Sequence, residues 1–240
     1  MNSFNTITKC VSGAKHLSFP IFITFLATTS CFAGSYVFTW ENGFENAGVV
    51  PDGNVAGWSD IRTLSGITEI SVIDVNVALT LSGGWNGDLY AYLTHSSGFS
   101  VLLNRAGRTF GSEFGYADAG LDLLFDDAAA NGDFHLYQTI PGYAVSIADG
   151  SRWSPDARNV NSLQVLNTDA RTVFLDSFNG LDPNGDWTLF LADFSNGEIS
   201  TVTKWGLEIM TVPEPTVGSF MVLGGLMAAG RLMRTRVSSR

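Results

Sequence analysis

Ile73-Asp74-Val75-Asn76-Val77-Ala78-Leu79-Thr80-Leu81 carries an apolar side chain at every second position. A strand points successive side chains to opposite faces, so this stretch predicts a strand with one face in a core and the other toward water. The same period continues outward on both sides. Leu89 to Leu93 and Val101 to Leu103 follow the turns Gly83-Gly84-Trp85-Asn86-Gly87 and Ser96-Ser97-Gly98. Farther on, Trp187, Leu189 and Leu191 alternate with Thr188, Phe190 and Ala192, and Trp205, Leu207 and Ile209 alternate with Gly206 and Glu208. Asn196-Gly197 between those two runs is a strong turn signal. No long helical period competes with these, so residues 36–211 predict an all-β domain of two packed antiparallel sheets.

Charge narrows the partners. Between Tyr36 and Thr211 there are seven basic and 22 acidic side chains, a formal charge of −15, within a chain whose total is −10. Nucleic acid and anionic lipid both require positive protein surface, so neither is an expected partner of this body. Both cysteines, Cys10 and Cys31, precede it, which leaves stability to a large hydrophobic core without disulfides.

The two ends read as addresses. Lys9 and Lys15, an apolar stretch from Leu17 to Ala27 and small residues through Ser35 have the three-part order of a secretory signal peptide over residues 1–35, with cleavage after Ala33 or Ser35. At the other end, Val212-Pro213-Glu214-Pro215 cannot continue a strand. An uncharged run from Val217 to Gly230 follows, then Arg231, Arg234, Arg236 and Arg240. A stable span needs about 20 apolar residues, so residues 212–240 predict a short transmembrane helix suited to a temporary stop. This order of hinge, short helix and basic tail resembles the PEP-CTERM sorting signal of bacterial surface proteins. That resemblance implies an exosortase-type processing enzyme as partner. It also implies an inner-membrane intermediate, reached through the C-terminal helix, and a final place at the cell surface or in the extracellular matrix.

Several blocks of the body resemble the P domain (Homo B domain) of proprotein convertases. They are Asp74 to Arg105 with Gly87-Asp88-Leu89 and Leu102-Leu103-Asn104-Arg105; Phe125-Asp126-Asp127-Ala128-Ala129; Asp182-Pro183-Asn184-Gly185-Asp186-Trp187-Thr188-Leu189; and Lys204-Trp205-Gly206-Leu207-Glu208-Ile209. The resemblance implies a jelly-roll, galactose-binding-like β-sandwich, here without a protease domain in front of it.

Catalytic chemistry has few candidates. After the leader only His95 and His135 remain, no Gly-x-Ser-x-Gly elbow occurs, and His95 falls in a turn where a surface position is expected. The body is therefore read as non-enzymatic. Asp182-x-Asn184-x-Asp186 mimics a calcium loop, but Gly185 stands at the wrong position and the segment reads as a turn feeding a strand. Asp88, Asp126 and Asp127 are better candidates for a structural Ca²⁺, because hard carboxylate oxygens in converging loops suit that ion. Trp85, in a Gly-rich turn, and Trp153 are candidates for stacking on a sugar. The expected function is an exported structural, adhesive or ligand-binding module, with extracellular polysaccharide as a partner. The alternatives are an accessory domain of a separate secreted subtilisin-like protease and a Ca²⁺-dependent glycan-binding module.

Overall fold

The computed structural model describes residues 33–142 and 147–212. The signal peptide up to residue 32, the Pro213-Glu214-Pro215 hinge, the short transmembrane helix and Arg231, Arg234 and Arg236 lie outside the described residues. Among the described residues no helix is long and apolar enough to cross a membrane.

Among the described residues nine strands follow in chain order: β1 (Gly34–Trp40), β2 (Trp58–Leu64), β3 (Ser71–Gly83), β4 (Leu89–His95), β5 (Gly98–Asn104), β6 (Leu121–Phe125), β7 (Ser151–Trp153), β8 (Gly185–Asp193) and β9 (Ser200–Val212). They form a five-stranded sheet in the order β1-β9-β3-β6-β7 and a four-stranded sheet in the order β2-β8-β4-β5. All pairings are antiparallel except β6 with β7. The expected all-β sandwich is the observed architecture.

Register explains the core. Val75, Val77 and Leu79 of β3 sit opposite Ile209, Leu207 and Trp205 of β9, so the apolar phases of both strands coincide on one face. Ala91 and Leu93 of β4 sit opposite Leu191 and Leu189 of β8 on the other sheet. These residues merge into a single buried cluster. Burial of this much apolar surface is the dominant favourable term in a body that has no cysteine.

The outer end of β3 departs from simple alternation. A register shift between Val72 and Asp74 turns Ile73 outward, 41% exposed, and carries Val72 into the core instead. The edge strand β2 adds a polar connection to the core. Asp60 of β2 faces inward and accepts from Trp205 Nε1 at 2.7 Å and from Arg62 Nε at 2.6 Å, so its buried carboxylate is satisfied. The strands also reach beyond the domain limits read from sequence. Gly34 and Ser35 pair with Thr211 and Met210, and Val212 pairs with Ser71, so all three belong to the sheet.

Candidate functional site

One end of the sandwich collects the ends of β3, β5 and β8 and the starts of β2, β4, β6 and β9. The loops there enclose a cleft of about 100 Å³ lined by Trp85, Asp88, Phe114, Tyr116, Ser195 and Asn196. Its floor is backbone packed on backbone. Gly87 N–H donates to the Tyr116 carbonyl at 2.8 Å, and Tyr116 N–H donates to the Ala106 carbonyl at 2.9 Å. A Cβ on Gly87 would stand 2.2 Å from the Phe114 carbonyl oxygen, and one on Gly115 would stand 2.4 Å from that of Ala106. Only glycine permits this approach, which locks the Trp85 loop to the Phe114 loop.

The rim is aromatic and open. Trp85 is 38% exposed and Phe114 70% exposed, while a Cβ on Gly197 would lie 2.8 Å from Trp85 Cζ3, so that turn backs the indole. The expected surface position of Trp85 is therefore observed. Its sequence neighbour Asn86 goes the other way: it is buried, with its Nδ2 donating to the Gly120 carbonyl and the Tyr137 hydroxyl.

Beneath the rim lies a set of buried charges. Asp88 immediately precedes β4 and pairs through Oδ1 with Arg105 Nη2 at 3.4 Å, both side chains about 5% exposed or less. Arg105 Nε also donates to the Gly87 carbonyl, and its Nη2 reaches Ser195 Oγ at 3.5 Å. Burial raises the Asp88 carboxyl above its ordinary range, against the opposing pull of Ser195 and Arg105. Asp193 ends β8 opposite Leu89 and is 1% exposed. Its Oδ1 accepts from the Ser195 amide, and the Gly53 amide also acts on the carboxylate, although no hydrogen bond of normal geometry reaches Oδ2. Burial first, then the charges of Asp88 and Asp52, push the Asp193 carboxyl up to about 6, with the Ser195 and Gly53 amides pulling it back. Asp52 holds the adjoining turn by accepting from the Gly197 amide through both oxygens.

The three carboxylates read as calcium ligands do not converge. The Asn86 and Gly87 amides bond to the Asp118 and Tyr116 carbonyls, which places Asp88 beside the segment entering β6, whereas Asp126 and Asp127 leave the far end of that strand. Asp126 is bound to Arg152 at 2.9 Å and accepts from the Ala128 amide. Asp127 caps a turn by accepting from the Leu175 and Asp176 amides. Among the described residues no three His, Cys, Asp or Glu side chains assemble as metal ligands. Asp88, Asp126 and Asp127 therefore do not fit one calcium site.

Trp153 also departs from expectation. It is 1% exposed and packs edge-on against Phe134 and Tyr137 in the aromatic core beside β6, because parallel pairing with Phe125 carries β7 inward. His95 is buried too, at 3% exposure, stacked on Trp187 with ring centroids 4.0 Å apart. Its nitrogens face the Asp186 and Asp182 carbonyls at 2.9 and 2.7 Å, clasping the turn before β8. His135 resembles half of a catalytic arrangement, since its Nδ1 lies 2.7 Å from Asp156 Oδ2. However, its Nε2 faces the Arg108 carbonyl at 3.0 Å, not a hydroxyl, and the ring is fully buried. Both rings are buried and both engage hydrogen-bond partners within the fold.

No family model matches the chain, and no curated protein matches it. Among solved structures, the serine protease of Aeromonas sobria in complex with its chaperone ORF2 aligns at 13% identity and a TM-score of 0.43. The same protease alone aligns at 13% identity and 0.42. Each alignment covers 75% of this chain and 27% of the other, so the chain spans about a quarter of those proteins. Superpositions this loose fix neither fold nor function.

Proposed function

We propose that this protein is an exported, non-catalytic β-sandwich of jelly-roll, P-domain-like type that binds extracellular glycan through the cleft between Trp85 and Phe114. The observation that carries the reading is an exposed pair of aromatic rings on a glycine-locked frame, with Asp88, Ser195 and Asn196 between them. Sugars present flat C–H faces to aromatic rings and hydroxyl edges to carboxylates and amides, and both complements meet here. The volume is also informative. At about 100 Å³ the cleft is well below the roughly 300–1,000 Å³ of pockets that engulf a small molecule. A ring or its substituent gripped at one edge, as in a polymer chain, suits it better than an enclosed metabolite.

Delivery to the surface rests on the leader and on the PEP-CTERM-like tail, with the exosortase-type enzyme as processing partner. β1 adds a detail: cleavage after Ala33 leaves every β1 pair intact, while cleavage after Ser35 removes two of them. The test of the binding reading is tryptophan fluorescence of the purified protein titrated across a panel of neutral, acidic and amino-sugar oligosaccharides. Saturable quenching by at least one class is expected, reduced tenfold or more in Trp85→Ala. Quenching that survives the loss of Trp85, or none with any class, removes the cleft from consideration.

A further inference from the structure

The edge of a sheet presents a row of N–H and C=O groups that another strand can take up, and folds ordinarily blunt such rows. Among the described residues the two sheets have four edges: β1 and β7 in one, β2 and β5 in the other. Three are blunted. β7 is only three residues long. β2 carries Asp60 and Arg62, with the aspartate turned inward. β5 is covered: the Asp156 and Ala157 amides donate to the Leu102 and Val101 carbonyls at 3.0 and 2.8 Å, and Ser177 Oγ accepts from the Phe99 amide and donates to its carbonyl. β1 has none of these devices. Its seven residues hold no charge and no proline, and they pair with β9 without a register shift. Among the described residues, no hydrogen bond links the β1 backbone to any element other than β9.

The strand is complementary to itself. In an antiparallel pair with its twofold axis at Val37, each residue meets the one equally far beyond that position. Val37, 69% exposed, meets its own copy, Ser35 meets Thr39, Tyr36 meets Phe38, and Gly34 meets Trp40. β-Branched, hydroxyl and aromatic pairs are the cross-strand combinations that stabilise sheets, and an aromatic ring over an edge glycine covers the gap it leaves. The half-buried rings of Tyr36, Phe38 and Trp40 already stand in a near-parallel row, with centroids 6.5 and 6.2 Å apart. Charge fits the same register. At the Gly34 end, Glu69 Cδ lies 3.3 Å from where a Gly34 Cβ would stand; at the other end, the Arg62 guanidinium lies 5.6 Å from the Trp40 ring centre. Antiparallel pairing brings Glu69 of each copy to the end where the other holds Arg62, whose side chain is 21% exposed beside its bond to Asp60. Surface ion pairs add little affinity, but two of them, related by the axis, select this register over a parallel one.

We propose that β1 is a self-association edge, through which two copies of this chain join by antiparallel β1 strands and extend their five-stranded sheets into one continuous sheet. The pairing requires no glycan. The twofold axis uses up both free edges, so the assembly closes at a dimer. One strand pair is a small interface, of the weak and transient class, and the formal charge of −15 on each body opposes it. Both features suit a contact that forms where chains are concentrated. Thr211 pairs with Gly34, so Val212 leaves each sheet at the Gly34 end of β1. Because the joined strands run in opposite directions, the two Val212 ends leave the dimer at opposite ends. Such a pair links chains held from opposite sides, an adhesive geometry.

The experiment is sedimentation of the purified protein over a roughly hundredfold range of concentration, at physiological salt to screen the repulsion between bodies. A reversible monomer–dimer equilibrium is expected. Val37→Lys sets two ammonium groups face to face on the axis and should weaken the dimer at least tenfold. Val55→Lys makes the same charge change at a 62% exposed site in the loop before β2 and should leave the equilibrium within about twofold. In a Cys10→Ser, Cys31→Ser background, oxidation should cross-link Val37→Cys as a dimer and leave Val55→Cys monomeric. A monomer at every concentration overturns the proposal. So does a dimer that Val37→Lys leaves intact, which would use another surface, or equal cross-linking at both positions. Open-ended oligomers overturn it as well, since a twofold pairing cannot build them.

Discussion

Asp193 shows how one side chain couples the site to stability. Its carboxyl titrates near 6 in the fold against an ordinary 3.8, so the folded protein holds a proton that the unfolded chain has released. Stability from this group is complete below about pH 4 and is lost as pH rises toward 6, the reverse of a salt-bridged aspartate. The loss is bounded at roughly 3 kcal/mol by the size of the shift. Asp193→Asn should therefore raise the urea midpoint at pH 8 and flatten its dependence between pH 4 and pH 6; an unchanged profile would show that the carboxylate is satisfied after all. The burial of Asp193 was legible in principle. Trp187, Leu189, Leu191 and Asp193 share one phase of β8, and Leu89, Ala91, Leu93 and His95 share one phase of β4. Carrying each period one step further puts both polar residues inside, whereas turn chemistry at Ser96-Ser97-Gly98 suggests a surface position for His95. What periodicity could not supply was the partner set: the carbonyls that hold His95 come from residues 87 and 91 positions away.

At the scale of elements, the alternating strands β3, β4, β8 and β9 and the short apolar run of β5 follow from sequence, while β1, β2, β6 and β7 do not stand out. β7 has three residues, too few for a period, and β6 reads Leu-Asp-Leu-Leu-Phe without clean alternation because Leu124 is nearly as buried as Leu123. The cleft was legible only by half. A Gly-rich turn around Trp85 suggests exposure, but Phe114 and Tyr116 reach it from a stretch without periodicity. Their placement depends on the contact of Gly87 with the Phe114 loop. That contact makes a prediction. Gly87→Ala forces a Cβ to within 2.2 Å of a carbonyl oxygen and should cost roughly 1–3 kcal/mol as the two loops separate, with loss of glycan quenching. Gly111→Ala is the matched control, since a Cβ there meets nothing within 4 Å, and it should leave the melting temperature unchanged. Equal effects from both substitutions would mean that the loops are not locked through Gly87.

At the scale of the whole molecule, β9 runs from the end of the sandwich that carries the cleft to the opposite end. It starts at Ser200, just after the Ser195–Gly197 turn of the cleft, and finishes at Val212, where the proposed sorting segment begins. Thirteen residues of strand at about 3.3 Å each span roughly 40 Å. Gly34 pairs with Thr211, so β1 begins at the same end of the sheet at which β9 finishes. A membrane stop beyond Val212 would thus hold the sandwich by the end opposite its cleft, with the cleft farther from the bilayer than a Debye length, about 8 Å at physiological salt. Neither the tether nor anionic headgroups should then perturb recognition. The protein held in a lipid bilayer by its C-terminal segment and the protein released after processing should show saccharide quenching of tryptophan fluorescence with midpoints within about twofold, read on nanodisc-held and free forms. A much weaker tethered form would place the cleft against the membrane and make processing the step that switches binding on.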